Sequence, residues 1–117
     1  MEYLFVNYPK CSTCKKARAW LEEKNIEFID RDIVNDTPTY DELKTWVLMA
    51  DKPINKFFNT SGILYRQMEL SKKLGSMSDE EKIKLLSSNG MLIKRPLLVF
   101  NKKVLIGFNQ KEWEKEI

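Results

Sequence analysis

The opening of the chain leaves few folds open. An apolar run, Tyr3-Leu4-Phe5-Val6, leads within a few residues to Cys11-Ser12-Thr13-Cys14, and the helical pattern Lys15-Lys16-Ala17-Arg18-Ala19-Trp20-Leu21 begins at once. A third segment, Ile26-Glu27-Phe28-Ile29-Asp30, alternates with period two, as a strand does. The spacing predicts a buried strand over residues 2–7, an amphipathic helix over 12–24 and a second strand over 26–30. A β-α-β unit of this kind joins parallel strands by a right-handed connection.

The middle of the chain reads as helix. Thr37-Pro38-Thr39 supplies a turn proline and then a cap, with Glu42 three positions on and Leu43, Trp46, Val47 and Ala50 on one face, which predicts a helix over 39–50. Pro53 interrupts it, and residues 54–70 look like short helical pieces broken at Thr60-Ser61-Gly62. Ser78-Asp79-Glu80-Glu81 opens another helix that stops at Asn89-Gly90. Leu97-Leu98-Val99-Phe100 and Val104-Leu105-Ile106, joined by Asn101-Lys102-Lys103, carry a hairpin signature. Asn109 then caps a last helix containing Trp113. Trp20, Trp46 and Trp113 fall among aliphatics at helical spacing and are expected in the core. The order β-α-β, helices, β-β-α predicts an α/β fold. It is a thioredoxin-like mixed sheet of about four strands with a helical insertion at about 36–92, and residues 1–117 form a single domain.

Cys11 and Cys14 are the only cysteines. A helix N-terminus offers unpaired amide N–H groups and a partial positive charge, and both favour a thiolate over a thiol. Cys11 stands at the cap and reads as the nucleophile. Cys14, one turn on, is placed to attack a mixed disulfide formed on Cys11. Ser12 and Thr13 are candidates for contact with the bound thiol, Thr13 as a donor to the Cys11 sulfur. Two plainer readings compete: half of a zinc site, or a pair of inert buried thiols. With no histidine and no second cysteine pair, no metal site is expected, and Lys10, Lys15 and Lys16 around the pair argue against burial.

Charge narrows the partners. Twenty basic and 17 acidic residues are mixed along the chain, for a net charge of +3, and no aromatic-basic motif of a nucleic-acid module is present, so no direct nucleic-acid binding is expected. No apolar stretch has the length of a membrane span, and Met1-Glu2-Tyr3 begins a strand rather than an export signal. A cytoplasmic protein is expected, where disulfides are transient. No Gly-rich phosphate loop calls for a nucleotide, and no bound cofactor is expected.

Arg95-Pro96 immediately precedes the third strand. Proline is ordinary at a strand start. In a thioredoxin-like fold, however, this junction faces the reactive cysteine, where Pro96 would present backbone to a substrate thiol and Arg95 would bring a guanidinium near an anion or the Cys11 thiolate.

Asn7-Tyr8-Pro9-Lys10-Cys11-Ser12-Thr13-Cys14-Lys15-Lys16-Ala17, then Asn59-Thr60-Ser61-Gly62 with Tyr65-Arg66, and finally Lys94-Arg95-Pro96 with Gly107-Phe108 together resemble the ArsC/Spx family over essentially the whole chain. The resemblance implies the thioredoxin-like sheet with its helical insertion, a reactive thiol at Cys11 and a cis peptide at Arg95-Pro96. It also implies one of three activities. These are arsenate reduction coupled to glutaredoxin, Spx-type regulation through the C-terminal domain of the RNA polymerase α subunit, or another thiol oxidoreduction. The arsenate reductases use further arginines where this chain has Asn59 or a neighbour and Gly107, and tend to carry a hydroxyl residue where Cys14 stands. Spx-type members share the Cys-x-x-Cys and the Lys16–Leu21 stretch and usually continue with a charged tail beyond the last helix, whereas this sequence stops at Ile117. The expectation is a thiol-disulfide oxidoreductase with Cys11 as nucleophile and Cys14 as resolving thiol. Glutathione, or an external dithiol protein such as glutaredoxin or thioredoxin, would be its reductant, and a Spx-type regulator is the alternative.

Overall fold

The computed structural model describes residues 2–117. A four-stranded sheet has the order β2-β1-β3-β4, with β1 at Leu4–Asn7, β2 at Ile29–Asp32, β3 at Leu97–Phe100 and β4 at Lys103–Ile106. β1 and β2 are parallel, in the register Leu4 to Ile29. β3 runs antiparallel to both β1 and β4, which makes the sheet mixed, as expected. Helix α1 (Ser12–Glu23) connects β1 to β2, and α6 (Gln110–Glu116) closes the chain. Between β2 and β3 lie α2 (Tyr40–Met49), α3 (Ile63–Gln67), α4 (Leu70–Lys73) and α5 (Asp79–Ser88), with 3-10 turns at Ile54–Phe57, Leu74–Ser76 and Gly90–Leu92.

Successive strand residues point to opposite faces of a sheet, and here they feed two cores. Phe5, Leu98, Phe100 and Leu105 pack with Ala17, Trp20 and Leu21 of α1 and Trp113 of α6. Val6, Leu97 and Val104 pack with Leu43 and Trp46 of α2, Ile83 and Leu86 of α5, and Phe57 and Phe58. The sheet is therefore sandwiched between α1 with α6 and the helical segment. All three tryptophans are buried, as their spacing predicts.

Local signals set most of the boundaries. Thr39 and Ser78 each accept a hydrogen bond from the backbone N–H three residues on, and Glu42 and Glu81 each reach back to the cap N–H. Both are complete capping boxes. Asn109 caps α6 by accepting from the Glu112 N–H. The hairpin turn has two residues, not the three expected: Asn101 and Lys102 both take positive φ, 45° and 61°. That geometry matches strand twist and leaves Lys103 in β4.

The second strand is the main correction. It starts at Ile29 rather than at Ile26 because the end of α1 claims the intervening backbone. Asn25 adopts a left-handed conformation, φ 57°, the Asn25 N–H donates to Glu22 O and the Ile26 N–H donates to Leu21 O. This is a Schellman closure. The chain joins the sheet only when the Ile29 N–H reaches Tyr3 O.

Candidate functional site

Cys11 is the N-cap of α1, with extended backbone, and its Sγ accepts the N–H of Cys14 at 3.3 Å. The loop before it is tied by the Cys11 N–H donating to Tyr8 O at 3.0 Å. Cys11 is partly exposed and Cys14 is buried. The expectation that lysines keep the pair out of the interior therefore holds for Cys11 and fails for Cys14. The reason is helical geometry: Cys14 falls on the same face as Ala17 and Leu21, which packs on the sheet.

Burial pushes the Cys14 thiol up to about 12, and its hydrogen bond with Cys11 and the Cys11 charge act in the same direction. A backbone hydrogen bond at Tyr8 and the charge of Arg95 oppose them. At neutral pH Cys14 is a thiol beside a sulfur that already accepts an amide N–H. Among the described residues, no three His, Cys, Asp or Glu side chains converge as metal ligands would.

The Arg95-Pro96 peptide is cis, as the resemblance implies. Pro96 is buried, and its carbonyl accepts the Gly107 N–H at 2.8 Å. The Arg95 guanidinium lies over the Tyr8 ring, 5.2 Å from its centroid. Its Nη1 donates long bonds to Met91 O and Ile93 O, at 3.4 and 3.3 Å. Its Nε is buried and without a partner among the described residues. Arg95 thus stands over the loop that carries Cys11, held by stacking rather than by a carboxylate. Ser12 and Thr13 are exposed on the first turn of α1. The donor to the Cys11 sulfur is the Cys14 amide, not the Thr13 hydroxyl: the capping amide is aimed by the helix itself.

The motifs name two members of a cluster behind the loop but not the contacts between them. Asn7, buried at the end of β1, donates to Asp30 Oδ1 at 2.7 Å and accepts from Arg18 at 3.2 Å. Arg18 also pairs with Asp30 at 2.9 Å, and its guanidinium lies 5.4 Å from the centroids of both Phe5 and Phe28, whose rings touch edge to face. These contacts tie β1, β2 and α1 together on either side of the cysteine loop. The one signal in the sequence is a polar residue closing an apolar strand.

Gly107 adds a further constraint. Its φ is +73°, and a Cβ there would meet Lys94 Cε at 3.2 Å. An arginine at this position would be strained in its backbone, although the tip of Lys94 could give way.

The sequence signature of the ArsC family matches residues 6–116. The chain belongs to the ArsC family. It is similar to an ArsC family related protein from Bacteroides fragilis, with a TM-score of 0.95 and 54% identity over 98% of this chain and 97% of that one. It is also 44% identical over 115 residues to the uncharacterized protein YusI of Bacillus subtilis, covering 98% of both chains. The Regulatory protein MgsR of the same organism is 34% identical over 108 residues, covering 92% of this chain and 84% of MgsR. The family match thus spans the whole described site, from the Cys11 loop to Gly107, and one relative of the chain is named as a regulatory protein.

Proposed function

We propose that this ArsC family member is a thiol-disulfide oxidoreductase of the reducing cytoplasm, with Cys11 as nucleophile and Cys14 as resolving thiol. The observation that carries the reading is the cap: a partly exposed sulfur accepting the Cys14 amide, with a second sulfur one helical turn behind it. In the first step the Cys11 thiolate attacks one sulfur of a substrate disulfide. The substrate S–S bond breaks, a Cys11–substrate S–S bond forms, and the leaving thiolate takes up a proton. In the second step Cys14 loses its proton to solvent and attacks Cys11 Sγ, releasing the second substrate thiol. The protein dithiol is thereby oxidised by two electrons and the substrate disulfide reduced to two thiols.

The chemistry of Cys14 fits that order. Two of the causes that hold its proton, the hydrogen bond with Cys11 and the Cys11 charge, vanish once Cys11 is in a mixed disulfide. Arg95 then favours the Cys14 thiolate. Cys14 is thus silent until Cys11 has reacted. Glutathione or a dithiol protein such as glutaredoxin or thioredoxin returns the disulfide to the dithiol. Arsenate is a poorer substrate on this reading, because Asn59 and Gly107 supply no guanidinium beside Arg95 to hold its charge. The test is Cys14→Ser challenged with a small disulfide and read by intact mass. A stable mixed disulfide on Cys11 is expected, where the wild type accumulates an internal disulfide; absence of the adduct refutes the assignment.

The similarity to MgsR favours a second reading, a Spx-type regulator whose Cys11–Cys14 disulfide sets affinity for the C-terminal domain of the RNA polymerase α subunit. Binding of that domain by the oxidised form alone is its expected signature.

A further inference from the structure

A groove of about 430 Å³ runs from Arg95 along α3, lined among others by Asn59, Ile63, Leu64, Gln67 and Met91. That volume falls within the roughly 300–1,000 Å³ of small-molecule clefts. Resting on the oxidoreductase reading, we propose that the groove holds the non-reacting part of a small peptide-like disulfide. A carboxylate of the ligand meets Arg95, its amides meet Asn59 and Gln67, and its apolar portion rests on Ile63, Leu64 and Met91.

Three observations carry this. First, Arg95 is a cation without a carboxylate partner among the described residues. Of its donors only Nη1 makes bonds to protein, both long, so a guanidinium with donors to spare ends the groove. Second, the remaining polar lining is neutral. Side-chain amides offer donors and acceptors together, which suits peptide groups and not a compact, highly charged oxyanion. Gly62 makes room for one of them, since a Cβ there would meet Asn59 Nδ2 at 2.8 Å. Third, Ile63 at the groove wall is 68% exposed, an apolar surface that a ligand with an aliphatic portion would cover.

The same guanidinium stacks on Tyr8, whose carbonyl holds the Cys11 N–H. A disulfide anchored by a neighbouring carboxylate on Arg95 is therefore brought to the loop that carries the attacking sulfur.

The test compares second-order rate constants for oxidation of the fully reduced protein by two disulfides. One is that of the tripeptide Gly-Cys-Leu; the other is bis(2-hydroxyethyl) disulfide, which lacks amides, carboxylates and an aliphatic side chain. The wild type is expected to prefer the peptide by at least about tenfold. Ile63→Asp, which sets a charge where the aliphatic portion of the ligand rests, and Gln67→Ala, which removes an amide partner, are each expected to cut that preference at least about fivefold. Leu48→Asp adds the same charge on α2 at a residue 80% exposed outside the groove, and keeps the wild-type ratio. Should both disulfides react at Cys11 with a ratio near one, or should Ile63→Asp and Gln67→Ala keep the wild-type ratio, the groove proposal is overturned and the oxidoreductase reading stands. Should neither disulfide react at Cys11, both fall.

Discussion

Cys14 shows how one residue acquires a role from its surroundings. Its thiol is held protonated by burial first and by Cys11 second, so native protein treated with iodoacetamide near neutral pH is expected to gain one adduct, on Cys11. Cys14 should react only after unfolding, and equal labelling of the two would contradict the buried geometry. Gly90 makes a different residue-scale statement. A Cβ there would press on the Ile33 carbonyl, coming within 2.8 Å of its carbon, and backbone cannot yield as a side-chain tip can. Gly90→Ala is expected to cost about 3 kcal/mol in urea unfolding. A cost under about 1 kcal/mol would mean that the turn after α5 relaxes freely. Asn7 belongs at this scale too: it opens the motif that carries the family resemblance, yet its role as a buried amide that fastens Arg18 and Asp30 is not legible there, because nothing local says where its partners lie.

At the scale of elements, the caps behave as independent local devices. Thr39→Ala and Ser78→Ala each remove a side-chain acceptor from the first turn of a helix and are expected to cost about 1 kcal/mol apiece. The two capping boxes share no hydrogen-bond partner, so the double variant is expected to cost the sum of the two. The hairpin offers the opposite sign. Lys102 holds φ 61°, a conformation that glycine adopts without strain, so Lys102→Gly should stabilise the protein by about 1 kcal/mol in thermal or urea unfolding. These features were legible because a cap or a turn is decided within four residues. The start of β2 was not, because the apolar alternation at Ile26–Asp30 is shared between a helix-closing motif and a strand, and only the ladder to Tyr3 shows where one yields to the other.

For the whole molecule, the pairing of Arg31 with Glu42 links the sheet to the helical segment. Arg31, in β2, donates to both carboxylate oxygens of Glu42, in α2, at 2.6 and 2.8 Å and lies over Trp46. The Arg31 hydrogen bonds hold the Glu42 carboxyl down at about 2, while an unfolded glutamate titrates near about 4.3. The folded value is the lower one, so this contribution is complete above the unfolded value and drains away as pH falls toward 2. Because the Glu42 side chain is 36% exposed, solvent screening leaves roughly 1–2 kcal/mol. Glu42→Gln is expected to lose that amount at neutral pH and to flatten the acid limb of a stability-against-pH curve between about pH 4.5 and 2. An unchanged limb would show that the pair carries no net energy.

Whatever is settled within a helical turn or a tight loop was written in the amino-acid order: the β-α-β opening, the capped helices, the hairpin, and a cysteine at the start of α1. Those outcomes depend on backbone sterics and on hydrogen bonds between near neighbours. What needed the assembled molecule was every contact between distant segments. The sinking of Cys14 into the face shared with the sheet, the stacking of Arg95 on Tyr8, the clash that keeps residue 90 a glycine, and the groove along α3 exist only once two cores have closed around four strands. Packing and solvent exclusion act between surfaces, and a linear pattern fixes one surface at a time.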